Sequence, residues 1–369
     1  GAIEASLFGN KKESPEFSPL AKNELKKINS KISNSHTIDY LLNILKNAEK
    51  KLIDTHQSID SVPYNGLSEC YMERTYINSE GANRHMKLTQ SSIYLYGRAE
   101  EENKKPRSAG CFKINSNLDE LDIDSCINET SEKLISHLNY KSIQTKKYLI
   151  CFTPEAFLQL INAFSSMFNA RLIIDGLSLM NEDSIGNQIS VPNLNISDEG
   201  LHPENVGAFT FDGEGTPTQN INIVTEGKLT NLLHSEATAR KFGVKPTGHA
   251  GLGAKVSVSP DWLVVSKSES KSDKYETLSI NNTLIEYILI DELSAIHSGV
   301  KASQGSFSLP FDGWIVNDGK KTSIEAATVA GDILKVLNSI VKIENEQIVT
   351  HQGISPHIWV ENISITGEA

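Results

Sequence analysis

Apolar residues first recur at helical spacing at Ile38, Leu41, Leu42, Leu45, Ala48 and Leu52, and Ser35 or Thr37 stands where an N-cap belongs. The pattern then shortens to period two. Glu69–Asn78 and Met86–Tyr96 read as strands joined by the turn Ser79-Glu80-Gly81, and in the second Ile93 and Leu95 alternate with Tyr94 and Tyr96. The charged stretch Arg98–Gly110 reads as an exposed loop. A second helix is predicted from Leu121 to Leu138, with Ile123, Ile127, Thr130, Leu134 and Leu138 on one side. Ahead of these elements, residues 1–35 are polar, rich in Lys, Ser and Asn, and poor in apolar anchors; they read as a tail or a packed linker.

The polar stretch Tyr140–Lys147 reads as a join, so 36–144 forms a mixed α+β middle domain and 145–369 a larger one. Tyr148–Phe152 is a buried strand in this reading. Thr153 caps the following helix, with Pro154 at its first position and Glu155 in its first turn. The apolar residues Ala156, Phe157, Leu160, Ile161, Phe164, Met167 and Phe168 cover so much of that helix that it must be buried on more than one side. Strands dominate the rest. Gln219–Thr225 turns at Glu226-Gly227 and returns through Lys228–His234 to a short helix at Glu236–Lys241. Trp314–Val316 turns at Asn317-Asp318-Gly319 and leads later to a helix containing Ile333, Leu334, Leu337 and Ile340. Ser266–Asp273 reads as an exposed loop tip. Helices and strands mix without strict alternation, which predicts the α+β class: a small mixed module followed by a larger sheet-rich domain, barrel-like or sandwich-like.

Charge and composition narrow the function. With 35 Lys+Arg against 46 Asp+Glu, the formal net charge of −11 argues against a nucleic-acid surface. No apolar run approaches the roughly 20 residues of a membrane span. Cys70, Cys111, Cys126 and Cys151 are far apart, with neither disulfide-scaffold nor zinc-site spacing, and read mostly as buried thiols in a reducing, cytoplasmic setting.

Conventional catalytic motifs are missing. The sequence has no Walker-type phosphate loop, no GxSxG elbow, and neither HExxH nor HExxxH. A metal site could still be gathered from distant ligands such as His202, His234, His249 and His297. The densest region runs from Phe209 to Gly253. In it Asp212, Gly213, Glu214 and Gly215 make a tight turn, Pro217 fixes φ and Thr218 opens a strand, and Thr247, Gly248 and His249 lie in a second glycine-rich stretch. These segments read either as peptide- or ion-contacting loops or as rigid turns whose glycines serve the backbone.

The order FDGEGTPTQ (Phe211–Gln219), INIVTEGKLTNLLHSEATARKFG, then PTGHA resembles the TldD/PmbA family, also described as modulator of DNA gyrase or peptidase U62. Cys151–Phe157, Gly176–Gly186, Ser298–Gly313, Thr328–Ile340 and Pro356–Gly367 agree in order, so the resemblance covers roughly residues 36–367. It implies that TldD-type subunits carry HExxxH on the helix after the strand that opens the last domain. Here, read without gaps, the metal and base positions fall on Asn162, Ala163 and Met167, none of which supplies an imidazole ligand or a carboxylate base. The family's later cysteine ligand also has no counterpart, since the last cysteine is Cys151. The chain therefore resembles the PmbA (TldE) branch. Its opening lacks the strand-rich segment that family members carry before the first helix, which implies a shortened homologue or a cut chain.

The resemblance implies a non-catalytic subunit that pairs with a TldD-like HExxxH subunit, or with itself as a homodimer, to enclose extended peptides. No metal or cofactor is expected on this chain; zinc is expected only on the partner. The peptide-contacting candidates are Asp212–Thr218, Thr247–Gly253 and Ser298–Gly305, with Gly299 and Gly305 in the last. Two other readings stay open: an autonomous metal-dependent peptidase built from distant residues, and a scaffold protein without a peptidase partner.

Overall fold

Thr37 Oγ1 accepts the Tyr40 N–H at 3.3 Å and so starts helix α1 (Ile38–Asp54). Three antiparallel strands follow, β1 (Ile59–Ile77), β2 (Asn83–Ala99) and β3 (Arg107–Asn115), in the order β1-β2-β3, and then helix α2 (Ile123–His137). Leu52 of α1, Leu134 of α2, and Ile93 and Leu95 of β2 are fully buried in one cluster, each contributing about 1.5–3 kcal/mol by leaving water. Strand β3 corrects the expected loop 98–110. The charged run ends by Pro106, and Ala109 and Cys111 then point inward against α2. Ala109 and Gly110 in RSAGCFKIN weaken the strand signal, but cross-strand pairing with β2 supplies it. The computed structural model describes residues 4, 7–8, 16–28, 32–33, 35–252, 255–269 and 286–367. Within the N-terminal stretch, Ser18 and Ala21 are buried, and Thr216 Oγ1 donates to Ser18 Oγ at 2.7 Å, so this part is packed linker.

The second body is built around a closed ring of five strands. Strand β4 (Lys146–Phe152) neighbours both β9 (Tyr287–Leu293) and β14 (Ile358–Gly367). Through β12 (Ala327–Asp332) and β10 (Ser306–Asn317) the ring returns to β9. Closing the sheet removes its edges. β10 continues through Asp318 and Gly319, both at positive φ (49° and 76°), into β11 (Lys320–Ile324), as the Asp-Gly signal requires. Helix α3 (Pro154–Ala163) follows β4 with Thr153 as its cap, and Ala156, Phe157, Leu158, Leu160 and Ile161 are all buried. The α-helix ends sooner than expected. Phe164 leaves helical geometry and Ser165–Phe168 tightens to a 3₁₀ turn, whose Ser166 carbonyl accepts the Ser178 hydroxyl at 2.8 Å.

A second sheet of six strands packs on α3. Its order runs from the short edge strand Ile348–Val349 through β13 (Gly353–Ser355), β8 (Leu263–Lys267), β5 (Leu194–Glu199) and β6 (Asn220–Thr225) to β7 (Lys228–Leu229). The expected return strand 228–234 pairs only at Lys228 and Leu229, because the chain then turns aside and joins Phe168 and Ala170 through Leu233. Helix α4 (Glu236–Phe242) follows. Of the expected loop tip 266–273, Ser266 and Lys267 instead end β8 and Ser268 is buried, while 270–273 lie outside the described residues. Of the four thiols, Cys111, Cys126 and Cys151 are buried and Cys70 is exposed. No described helix is long and apolar enough to cross a membrane.

Candidate functional site

Between the three-stranded sheet and the second body lies a cleft of about 1070 Å³. On one side it is walled by Arg74, Tyr94, Tyr96 and the β3 residues Gly110–Asn115, and on the other by Asp212, His249, Asp261, Trp262 and the edge strand Ile348–Val349. Seven carboxylates line it against three Lys and Arg residues. Two of the seven are neutralised directly, Glu129 by Lys113 at 2.5 Å and Asp291 by Lys133 at 2.8 Å. Of the five others, Glu292 has its pKa raised by burial despite Lys133. The same burial, with Glu292 beside it, pushes the Tyr94 hydroxyl up to about 12.

The structure brings the two predicted loops together at Asp212. Its Oδ1 accepts the N–H groups of Glu214 and Thr216, each at 2.9 Å, and its Oδ2 accepts that of Ala250 at 2.9 Å. Gly213 N–H closes the same join on the Ala250 carbonyl at 2.6 Å. The Asp212 carboxylate is thus committed to backbone donors, which makes it a clamp holding His249 at the cleft rather than a free acid. Thr218 Oγ1 donates to the Phe209 carbonyl at 2.6 Å. A Cβ on Gly215 would meet the Tyr76 ring at 2.5 Å, and one on Gly213 would meet Leu252 N at 2.7 Å. Pro217 sits against Gly248, whose own Cβ would lie 2.4 Å from the Pro217 carbonyl oxygen. Gly299 and Gly305 are not at this cleft: the first packs under the Ser308 carbonyl, and the second ends a 3₁₀ turn at φ 75°.

Glu214 turns away from the cleft and accepts the Glu236 N–H at 2.7 Å, at the start of α4. Burial, with Asp212 and Glu236 nearby, raises its pKa from 4.5 to about 7 against that bond. A carboxyl with a raised folded pKa holds its proton more tightly when folded. Its stabilising effect is complete below about 4.5 and is lost as pH rises toward 7. Glu214→Gln keeps an acceptor for Glu236. It is expected to flatten this fall and to add about 1 kcal/mol at pH 7.5, a value scaled down for partial exposure. Urea unfolding at pH 5 and 7.5 reads it; parallel pH trends in both proteins contradict the assignment.

Sequence reading did not find Asp198, Asp261 or Arg74. Asp198 Oδ1 lies 3.2 Å from His249 Nε2, both side chains fully buried. Asp261 keeps exposed surface at the cleft wall, yet burial raises its carboxyl to about 6 against the pull of His249. For His249, burial opposes the charge, but Asp198, Asp261 and Asp212 outweigh it and raise its pKa. Ligand atoms of Asp198, His249 and Asp261 all lie within 4.8 Å of one another, the one such group among the described residues. The other proposed histidines do not join it: His234 bonds Thr238 at 3.3 Å, and His202 and His297 lie elsewhere. Arg74 stacks 3.7 Å over the Phe209 ring and donates to the Phe211 carbonyl at 3.0 Å, tying β1 to the Asp212 loop.

Residues 145–367, more than half of the chain, match the PmbA/TldA metallopeptidase C-terminal domain, and residues 28–138 match the corresponding central domain. A metalloprotease PmbA homologue of Buchnera aphidicola is 22% identical over 96% of this chain and 76% of its own. A Thermotoga maritima protein described as a modulator of a DNA gyrase superposes with TM-score 0.85 at 24% identity, covering 96% of this chain and 80% of that one. TldE of Thermococcus kodakarensis superposes with TM-score 0.84 at 18% identity, covering 99% and 83%. These two likenesses establish the fold. The matches span from 28% to 76% of the length of the curated relatives.

A metallopeptidase implies a metal, and the positions where HExxxH would fall do not fit one. Met167 is buried in the main core at 1% exposure, Ala163 has no donor, and the Asn162 amide bonds Gln352 at 3.4 Å. In place of metal ligands, the cleft side of α3 presents Glu155 and Gln159; Gln352 donates to Glu155 at 2.5 Å, and Gln159 accepts the Leu293 N–H at 2.8 Å.

Proposed function

The chain belongs to the PmbA/TldD metallopeptidase family, and from that premise we propose that it serves as a peptide-binding subunit whose hydrolytic metal is brought by an HExxxH-bearing partner. The observation that carries this reading is the cleft. Two sheet edges border it, β3 at the end of its three-stranded sheet and Ile348–Val349 at the end of the six-stranded one. They approach each other where the Phe112 and His351 rings meet at 4.9 Å. An edge strand offers backbone donors and acceptors to an extended peptide, which can add to it as a further strand. Tyr94 and Tyr96 supply apolar contact area for side chains of that peptide. A segment already paired inside a folded protein cannot add to these edges, so the mode favours extended, unfolded segments.

The excess of carboxylates adds a charge preference. A basic extended peptide is expected to bind about tenfold more tightly than an acidic one of equal length at low salt, with the gap closing as salt rises. Fluorescence anisotropy with the two labelled peptides measures it, and amide exchange locates the contact. The expected result is slowed exchange along β3 and at Ile348–Val349. Equal affinity for both peptides, or protection confined to the outer face of the barrel, contradicts the reading. The same surface serves a self-paired dimer or a mixed one, since the cleft is complete within one chain.

A further inference from the structure

We infer that Asp198, His249 and Asp261 form a divalent-cation site at the wall of the cleft, selective for a zinc-class first-row metal. The argument starts with Thr247. Its Oγ1 accepts the His234 N–H at 2.8 Å and donates its one hydrogen to the His234 carbonyl at 3.1 Å. The His249 Nδ1, 2.9 Å from the same oxygen, must therefore be the donor in that contact. In the neutral ring this leaves the lone pair on Nε2. That nitrogen is fully buried and has no well-directed hydrogen bond, although Asp198 Oδ1 is only 3.2 Å away. A lone pair aimed at carboxylates is repulsive unless a proton or a metal ion stands between them, and the presence of a third donor, Asp261, within reach suits a metal ion.

The spacing suits one. An ion with bonds of about 2.0–2.2 Å sets adjacent ligands about 3.0–3.5 Å apart and opposed ones about 4.2 Å apart. The three donors lie within 4.8 Å of one another, and the His249–Asp198 separation of 3.2 Å matches an edge of such a polyhedron. The surroundings already orient the ligands. Asp198 Oδ2 accepts the Asp261 N–H at 2.7 Å and Oδ1 accepts the Trp262 N–H at 3.4 Å, which leaves a second lone pair of Oδ1 for the ion, and Thr247 fixes the imidazole tautomer. One imidazole with two carboxylates favours zinc, manganese or iron over calcium, which takes oxygen ligands. Asp261 opens on the cleft, so the remaining coordination positions face solvent and any bound chain.

The site does not rest on the peptide-binding reading, because its test counts metal and not cleavage. The full chain is stripped with a chelator and dialysed against Zn²⁺, and bound metal is measured by mass spectrometry; Co²⁺ absorption and the ¹⁵N shift of His249 Nε2 report the ligands. The expected result is one ion per chain, a Co²⁺ spectrum without thiolate charge transfer, and a Nε2 shift on loading. Asp261→Asn, at the exposed wall and checked for folding by thermal melting, is expected to weaken binding at least about tenfold, as is His249→Gln, whereas His85→Gln, on β2 where the exposed ring bonds Glu73 at 2.6 Å, leaves it unchanged. Substoichiometric binding by the wild-type chain, an unmoved Nε2, or unchanged binding by a folded Asp261→Asn overturns the site and leaves a plain buried ion pair.

Discussion

Asp212→Ala is expected to lose about 4 kcal/mol of stability, the largest effect of any single change at the cleft. The carboxylate, 5% exposed, takes three backbone N–H groups, two within its own turn and one from Ala250 across the join. Alanine leaves all three without a partner, and each orphaned buried donor costs about 1–3 kcal/mol. Against a total of about 5–15 kcal/mol, that is a large share. Asp212→Asn separates the contributions. Its amide oxygen can still serve Glu214 and Thr216, while its NH₂ meets the Ala250 N–H, so about 2 kcal/mol is expected. Urea unfolding of the three proteins gives the order wild type, Asn, Ala. An alanine variant within about 1 kcal/mol of wild type contradicts the clamp.

The second largest effect is expected at Gly248, on the other side of the same join. Its φ of +83° already penalises a side chain, and a Cβ would stand 2.4 Å from the Pro217 oxygen and 2.9 Å from the Thr218 Cα. Both obstacles are backbone in the segment that Asp212 holds, so neither can swing aside. Gly248→Ala is expected to cost about 3 kcal/mol, combining strain with forced separation of the two loops. Gly243 is the internal control: it has a similar φ of +68° as the cap of α4 but nothing within 4 Å of a Cβ. Gly243→Ala should cost only about 1 kcal/mol. Equal losses at the two glycines would show that φ alone matters and that the loops do not need their close approach.

What the sequence made legible was whatever is encoded locally. The Thr37 and Thr153 caps, the Asp318-Gly319 turn and the buried strand at Tyr148–Phe152 depend on residues a few positions apart, and each forms. The tight turn at Asp212 was legible for the same reason, but the role of its carboxylate was not, because Ala250 arrives from a distant segment. Asp198 and Asp261 carried no signal. One lies at the end of β5 and the other just before β8, and only the pairing of those strands sets them beside His249. Strand β3 was hidden by the charged run before it, and tertiary packing on α2 overrode that local impression. The missing HExxxH was legible because it is a single-helix motif, and Met167 in the core shows why that stretch cannot substitute for it.

The central claim is that this chain binds peptide but depends on a partner for hydrolysis. The most direct test incubates an unfolded, basic peptide with the chain alone, with an HExxxH-bearing subunit of the family alone, and with the two mixed, and follows fragments by mass spectrometry. The account predicts intact peptide with this chain alone, and cleavage by the mixture that exceeds the partner's own and vanishes with a chelator. Chelator-sensitive cleavage by this chain alone contradicts it, and would move the chemistry to the residues around His249.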